Sequence, residues 1–299
     1  MAYQAKSALE VQLDVLGALM LRDIRTRFGG TIWGYSIAVL WPCAHILVIT
    51  AAYVVIKKPT PLGDSIVLFA VSGLSPYIIF NYMSRKMMEG PMVNRQLIYF
   101  PQVKFFDVVM SRAIVELCTS SLSIFMVFSI AAVCGANIIP RDSFAFCESM
   151  LLALFFAIGM GFLNVFISQM LVQWQIIVIV PILIIYFTSG TVIVVEAMPA
   201  IIYDYVQWNP LMHIVKVCRS AFYPGYGADA DIMYVLIVSG AMALIGLLGI
   251  RFVVPRFLNL GRARMLVLGP GWTASVPLDA RCRPAAPPGS GSACRPGHR

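Results

Sequence analysis

The sequence predicts an all-α integral membrane protein with six transmembrane helices, an N-terminal amphipathic interface helix and two short re-entrant helices on the outer side. Of the 299 residues, 60% are hydrophobic and only 12% are charged, and the mean hydropathy is +0.83. Soluble domains carry about 25% charged residues. A soluble fold of this length could not hide so much apolar surface in one core, so the composition indicates lipid as the solvent.

The N-terminal segment, residues 1–30, is apolar on one side and charged on the other. Its apolar residues recur every three or four positions, which is the period of an α-helix: Leu9, Leu13, Leu16, Met20 and Ile24. The segment is too charged to span, so we expect a cytoplasmic helix lying in the membrane interface, ended by Gly29 and Gly30. A helix packed on a soluble partner stays open as the alternative.

Six stretches within residues 31–258 are long and apolar enough to cross a bilayer, which takes about 20 residues. They are Ile32–Ile56, Ser65–Met83, Phe106–Cys134, Met150–Ile167, Ile176–Val195 and Ile232–Val254. With the N-terminus inside, ten Lys and Arg residues fall in inner segments and five in outer segments. The positive-inside rule therefore predicts that both termini are cytoplasmic. The first residues do not match a cleaved signal peptide.

The longest inner loop runs from Ser84 to about Phe105. Gly90 and Pro91 are expected to break the chain, and Pro101 closes the loop. Between Pro91 and Pro101, we predict a short helix parallel to the membrane over Met92–Tyr99. Docking of a soluble partner and a plain solvated connector are equally compatible with this loop.

The outer segment between the fifth and sixth spans is aromatic and is interrupted by three prolines. Its two pieces, Pro199–Gln207 and Leu211–Phe222, are each too short to span. They predict helices that enter the outer leaflet and return, covered by protein or lining a wet cavity.

Residues 259–299 have a different composition. From Gly261 onwards they hold six Pro and six Arg without apolar periodicity, which predicts disorder. A shifted reading frame in the source gene would explain the abrupt change, and we assign this tail no function.

No catalytic, cofactor-binding or metal-binding residue is identified. The sequence has no Gly-Lys dipeptide and therefore no Walker A loop, no CxxC pair, and no histidine with a partner at ligand spacing. Arg112 and Glu116, four residues apart at the start of the third span, are expected to pair with each other near the inner interface. A functional intramembrane charge is the alternative.

Aromatic residues mark the first and fifth spans. Trp41, Tyr53, Tyr186 and Phe187 are the candidates for lining a glycan path, because rings stack on sugar C–H faces and their polar groups hydrogen-bond hydroxyls. Packing against lipid, including the interfacial aromatic belt, stays open as the alternative.

Three segments resemble the membrane (permease) subunits of type-2 ABC exporters, in the capsular polysaccharide branch. They are LGALMLRDIRTRFGGTIWGYSIAVLWPCAHIL (residues 16–47), VNRQLIYFPQVKFFD (residues 93–107) and WNPLMHIVKVCRSAFYPGYG (residues 208–227). The resemblance, over residues 10–258, implies a subunit of an ATP-driven exporter that moves capsular polysaccharide across the bacterial inner membrane. Export of another glycan, such as O-antigen or teichoic acid, and an enzyme acting on lipid-linked sugars remain alternatives.

The resemblance also implies roles for individual residues and partners. The N-terminal helix would be a gate helix carrying Arg22, Arg25 and Arg27. The inner loop would hold a coupling helix that docks on the ATPase through Met92, Asn94, Arg95, Leu97 and Ile98. A separate ABC ATPase would bind ATP and Mg, so this chain needs no cofactor. Two copies would enclose the pore, with lipid-linked polysaccharide as substrate, periplasmic export proteins as further partners, and no nucleic acid.

Overall fold

The computed structural model describes residues 7–28, 32–55, 62–63, 65–100 and 102–254, all within one compact unit, Met1–Phe257. Within these ranges the chain is helical and contains no strand. The tail 259–299, the turn at Gly29 and Gly30, and Pro101 lie outside the described residues. The helices are α1 (Ala8–Phe28), α2 (Ile32–Val55), α3 (Ile66–Val93), α4 (Phe105–Val133), α5 (Ser143–Met170), α6 (Trp174–Ile177), α7 (Ile179–Thr188), α8 (Ala200–Val206), α9 (Pro210–Ser220) and α10 (Ile232–Leu248), which a π-helical turn extends over Gly249–Val253.

Five of these helices are long and apolar enough to cross a membrane, namely α2, α3, α4, α5 and α10. The fifth predicted span corresponds to a shorter apolar stretch, Trp174–Thr188. At 1.5 Å per residue it is about 22 Å long, less than the roughly 30 Å of a bilayer core. It ends before the predicted Val195 because Gly190 turns the chain with a φ of 80°, and Arg219 binds the carbonyl oxygens of Gly190 and Thr191.

The central helix α3 packs against α2, α4, α5 and α9. It continues to Val93, ten residues beyond the predicted end at Met83, so the expected break at Gly90 and Pro91 is wrong. At Gly90 a Cβ would lie 3.2 Å from the Val108 carbonyl oxygen, so glycine lets α4 approach closely and both helices continue together. The predicted helix Met92–Tyr99 is reduced to one 3₁₀ turn, Leu97–Tyr99.

The two ends of the bundle carry different elements. At one end, here called the α1 side, α1 packs against α2 and α4, and the Gln12 side chain donates to Asp107 at 3.0 Å. At the other end, the α9 side, α9 packs against α3 and α5, with every residue from Pro210 to Arg219 buried. The short helices α8 and α9 correspond to the two pieces predicted between the last spans.

Candidate functional site

Five charged side chains from α1, α3 and α4 meet on the α1 side, and we call this group the α1 junction: Asp23, Arg27, Glu89, Arg112 and Glu116. Arg112 Nη2 lies 2.9 Å from Asp23 Oδ1, and Arg112 Nη1 lies 3.8 Å from Glu89 Oε2. Arg27 Nη1 lies 3.0 Å from Glu116 Oε2 and 3.8 Å from Asp23 Oδ2. The predicted pairing of Arg112 with Glu116 is therefore wrong, because each of them takes its partner from another helix.

Three of the five residues of the α1 junction are buried. Asp23, Arg112 and Glu116 are 3%, 1% and 4% exposed. An ion removed from water loses several kcal/mol of hydration, so it must be compensated by partners held in a fixed position. The opposite charges thus hold α1 in one place on α3 and α4. The sequence did contain a signal for this contact, since a charge within a span generally has a partner elsewhere in the bundle.

The three arginines predicted on the gate helix occupy different environments. Arg27 belongs to the α1 junction, and Arg25 is exposed. Arg22 Nη1 donates to the side-chain oxygen of Asn94 at 3.3 Å. Arg22 therefore connects α1 to the residue that immediately follows α3.

The five predicted docking residues divide into outward and inward positions. Met92 is 44% exposed and Arg95 is also exposed. Leu97 and Ile98 are half-buried in the 3₁₀ turn. Asn94 is buried, and its side-chain nitrogen donates to the Gly90 carbonyl at 3.2 Å. Asn94 thus bonds within the chain, while Met92 and Arg95 are accessible to a partner. Docking on these residues stays a prediction.

The four aromatic pore candidates also separate into two pairs. Tyr186 and Tyr53 are buried, at 6% and 7% exposure, and the Tyr53 hydroxyl donates to the Val192 carbonyl. Trp41 and Phe187 lie on the surface of the chain, at 68% and 55% exposure. A path between two copies would pass the surface rings first, so Trp41 and Phe187 are the more accessible candidates, and their role stays a prediction.

Buried Tyr186 belongs to an aromatic cluster that joins α2, α3 and α7. Its ring centroid lies 4.4 Å from that of Tyr77 and 5.8 Å from that of His45. Contacts at these separations add about 0.5–1.5 kcal/mol per pair beyond area burial. The cluster thus connects the short helix α7 to two of the long helices.

Lys216 of α9 connects three parts of the α9 side. Its Nζ donates to Asp229 at 2.6 Å and to the Tyr203 hydroxyl at 3.3 Å, and it lies 3.1 Å from Glu196. Burial alone would lower the pKa of Lys216, but the hydrogen bonds to Asp229 and Glu196 outweigh it and raise that pKa. Burial acts to raise the pKa of Asp229, but the hydrogen bond from Lys216 outweighs it, so the net pKa is lowered. Both groups are therefore charged at neutral pH.

Arg219, one helical turn further along α9, is fully buried. Its guanidinium donates to the carbonyl oxygens of Gly190 at 2.7 Å and Thr191 at 3.1 Å, and it lies 4.0 Å from the centre of the Phe69 ring. Lys216 and Arg219 are two of the five Lys and Arg residues that the positive-inside count placed in outer segments. Their burial depends on α9 packing across the bundle, which periodicity does not reveal.

The described part of the chain contains no group of three His, Cys, Asp or Glu side chains that could hold a metal ion. Its buried charges instead connect helices at the two ends of the bundle. A polytopic helical fold, with a charged N-terminal helix tied to its spans by ion pairs, defines an integral membrane protein.

Comparison with known proteins identifies the family. The chain belongs to the ABC-2 type transporter family, whose model matches residues 15–223. It is 30% identical over 224 residues to the polysialic acid transport protein KpsM of Escherichia coli, covering 74% of this chain and 86% of that protein.

Two further relatives are capsule polysaccharide export inner-membrane proteins. One is CtrC of Neisseria meningitidis serogroup B, 23% identical over 244 residues, covering 80% of this chain and 91% of the relative. The other is BexB of Haemophilus influenzae, 23% identical over 257 residues, covering 82% of this chain and 93% of the relative. The matches thus extend over almost the full length of these exporters.

Proposed function

We propose that this chain is the membrane subunit of an ATP-driven exporter of capsular polysaccharide in the bacterial inner membrane. The observation that carries the proposal is the match to three relatives over 86–93% of their length; one is named for transport of polysialic acid and two for export of capsule polysaccharide. Membership of the ABC-2 family implies an ABC ATPase partner, and that partner would bind ATP and Mg.

The ATPase would dock on the segment from Met92 to Ile98. Met92 and Arg95 are exposed there, and the segment follows α3 directly, so a force applied to it acts on the end of a long buried helix. A surface arginine surrounded by apolar side chains is a common element of protein interfaces. The exposed Met92 and Arg95, with the half-buried Leu97 and Ile98, would form this contact.

The α1 junction would carry movement from the docking segment to the transport path. Asn94 accepts from Arg22, and Glu89 near the end of α3 lies 3.8 Å from Arg112. Arg112 in turn pairs with Asp23 of α1. Because α2 begins only a few residues after α1, displacement of α1 would reorient α2 and its exposed Trp41. Two copies facing each other would enclose the path.

Affinity purification in mild detergent tests the proposal. Arg95→Glu and Leu97→Pro alter the docking segment, and Arg251→Glu, an exposed charge at the end of α10, is the matched control. We expect wild type and the control to recover a stoichiometric P-loop ATPase, and both docking variants to lose it while remaining in the membrane fraction.

The outcomes separate the docking assignment from the function. If both docking variants recover the ATPase and export glycan normally, the segment from Met92 to Ile98 is not the docking site. The exporter proposal itself would remain intact. Failure of wild type to recover any ATPase would instead count against an exporter and favour a membrane enzyme. Export of a glycan other than capsule would change the substrate class alone.

A further inference from the structure

A groove of about 490 Å³ lies between α4 and α5. Its wall is formed by aromatic and aliphatic side chains, among them Ile124, Phe128, Phe146 and Leu154. Two lining residues, Phe125 and Leu151, are 70% and 65% exposed, so the groove is open along the outside of the bundle. On a helix that crosses a membrane, such an opening is accessible to lipid.

The length of the groove is close to the thickness of one membrane leaflet. Along α4 its lining runs from Leu117 to Ser129. Twelve residues of helix rise about 18 Å, compared with about 15 Å for half of the hydrocarbon core. Its end on the α9 side is lined by Ile138 and Pro140, in the connection between α4 and α5. An extended acyl chain of a lipid in that leaflet therefore matches the groove in depth.

A second pocket of about 700 Å³, with a partly polar wall, lies next to that end, and Phe222 lines both cavities. Ser65, Asn137 and Arg141 contribute polar groups to the pocket. Arg141 is exposed, and its backbone N–H donates to the Ala221 carbonyl at 2.8 Å, which holds it beside α9. Its side chain makes no hydrogen bond or ion pair with the residues that the structure describes. The adjacent Asp142 carboxylate instead accepts from the first N–H groups of α5.

We propose that the groove and pocket together form a site for one membrane phospholipid with an anionic headgroup. One acyl chain lies between α4 and α5, and the phosphate lies at Arg141. A guanidinium provides several N–H donors in a plane and binds phosphate oxygens in pairs. An apolar groove of leaflet depth that ends at an available cation is complementary to such a lipid, whose apolar chain ends at an anionic headgroup.

This site is separate from the proposed docking segment and from the α1 junction. The lipid would hold the α4–α5 connection against α9, whose Ala221 carbonyl binds the backbone of Arg141. The proposal therefore does not depend on which glycan is exported.

Native mass spectrometry of the full chain, purified in detergent, stripped of lipid and titrated with defined lipids, tests the site. We expect one phosphatidylglycerol per chain to bind about fivefold more tightly than phosphatidylcholine, since one basic side chain contributes about 1 kcal/mol towards an anionic lipid. Arg141→Gln should abolish this preference, whereas Arg251→Gln, the matched control, should retain it. Ser121→Trp should fill the groove and weaken binding of both lipids at least tenfold.

Three results would overturn the proposal. The first is lipid retention without a defined one-to-one stoichiometry, which would indicate annular lipid only. The second is an unchanged phosphatidylglycerol preference in Arg141→Gln. The third is retention, in chains purified from cells, of a lipid that carries a glycan, which would make the groove a site for the transported molecule. The thermal unfolding midpoint of each variant establishes that a loss of binding is not a loss of fold.

Discussion

Asp23 and Arg112 place opposite charges in the protein interior, with 2.9 Å between their nearest side-chain atoms. Burying both ions costs hydration, and the pair adds little net stability over an apolar contact of the same shape. Removing only one partner is much more costly, because the remaining charge is buried without compensation. The pair therefore specifies where α1 packs on α4 rather than simply strengthening the contact.

Asp23→Asn should lower the free energy of unfolding by about 3 kcal/mol, because it leaves the Arg112 guanidinium partly uncompensated. For a chain of this size that corresponds to a fall of several degrees in the thermal midpoint measured in detergent. The double variant with Arg112→Met should lose less than the sum of the two single variants. Strictly additive losses would mean that the two side chains do not interact.

The ion pair between Lys216 and Asp229 gives a pH-dependent prediction. The pKa of Asp229 is lowered in the folded chain, so its contribution is fully present above the ordinary value near 4 and is lost as pH falls through the lowered pKa. Asp229→Asn should therefore reduce the thermal midpoint by about 2–4 °C at pH 5 to 8, because the aspartate is half-exposed and such a pair contributes about 1 kcal/mol at most.

The difference between Asp229→Asn and wild type should shrink below about pH 4, where Asp229 begins to protonate in the unfolded chain, and should be lost once the pH falls below its lowered pKa in the folded chain. Asp204→Asn, an exposed aspartate of α8, is the matched control and should leave the midpoint unchanged. An effect of Asp229→Asn that stays constant down to pH 3 would show that the carboxylate charge is not responsible.

At the scale of elements, the contact between α5 and α10 depends on glycine. A Cβ on Gly246 would lie 2.5 Å from the Phe162 backbone, and a Cβ on Gly159 would meet the Ser239 carbonyl. Within a membrane, lipid tails are as apolar as leucine, so close backbone packing replaces the hydrophobic effect as the driving force. Small residues at these crossings are therefore required by the distance between the two helix axes.

Gly159→Ala and Gly246→Ala should each destabilise the chain by about 1–3 kcal/mol, since the added methyl meets backbone atoms that cannot move without shifting a helix. Gly240→Ala is the control, because no atom lies within 4 Å of its Cβ position and alanine favours helix. The measurement is the thermal midpoint in detergent. Equal midpoints for all three variants would contradict the close packing of α5 and α10.

The short helix α7 is held near its C-terminal end and exposes several of its apolar side chains. Arg219 binds the carbonyls that follow it, and Tyr186 packs into the aromatic cluster with His45 and Tyr77. Val180 and Leu183, on the same helix, are 60% and 49% exposed. An apolar helix that buries so few of its own side chains in the chain leaves a surface available to lipid or to a second copy.

At the scale of the whole molecule, α2 and α7 both leave large apolar side chains uncovered. On α2, Trp41 and Val48 are 68% and 66% exposed. Two copies placed with these helices facing each other would enclose a path without fixed charges, which suits a polymer of neutral or acidic sugars passing lengthwise. This arrangement belongs to the exporter proposal and is tested by the transport rate.

Trp41→Ala should slow polysaccharide export several-fold without changing the thermal midpoint, because the ring is exposed and contributes little to packing within the chain. Leu244→Ala on α10, where the side chain is 58% exposed, is the control for loss of a surface apolar group. The readout is surface polysaccharide accumulated per unit time at equal protein level. An unchanged rate for Trp41→Ala would place the ring against lipid.

How far the sequence could predict the structure depends on the range of the interactions. The starts of α2, α4 and α10 were predicted to within one residue, since length and apolarity act locally. The ends of α3 and α7 were not predicted correctly. The end of α3 depends on the close approach of Val108 to Gly90, and the end of α7 depends on Arg219, about 30 residues away in the sequence. The two short helices α8 and α9 were predicted from the positions of prolines, because proline interrupts a helix through its effect on the adjacent backbone.

In the candidate site, too, local features could be predicted from the sequence and long-range contacts could not. The amphipathic pattern of α1 and the intramembrane position of Arg112 and Glu116 were visible in the sequence, but their partners were not. Composition alone determined that the chain is a helical membrane protein, because a bilayer solvates each apolar span independently of its neighbours. Which charges meet, which aromatic rings are buried and where a lipid-sized groove opens could not be read from the sequence, because these features depend on helices brought together from distant parts of the chain.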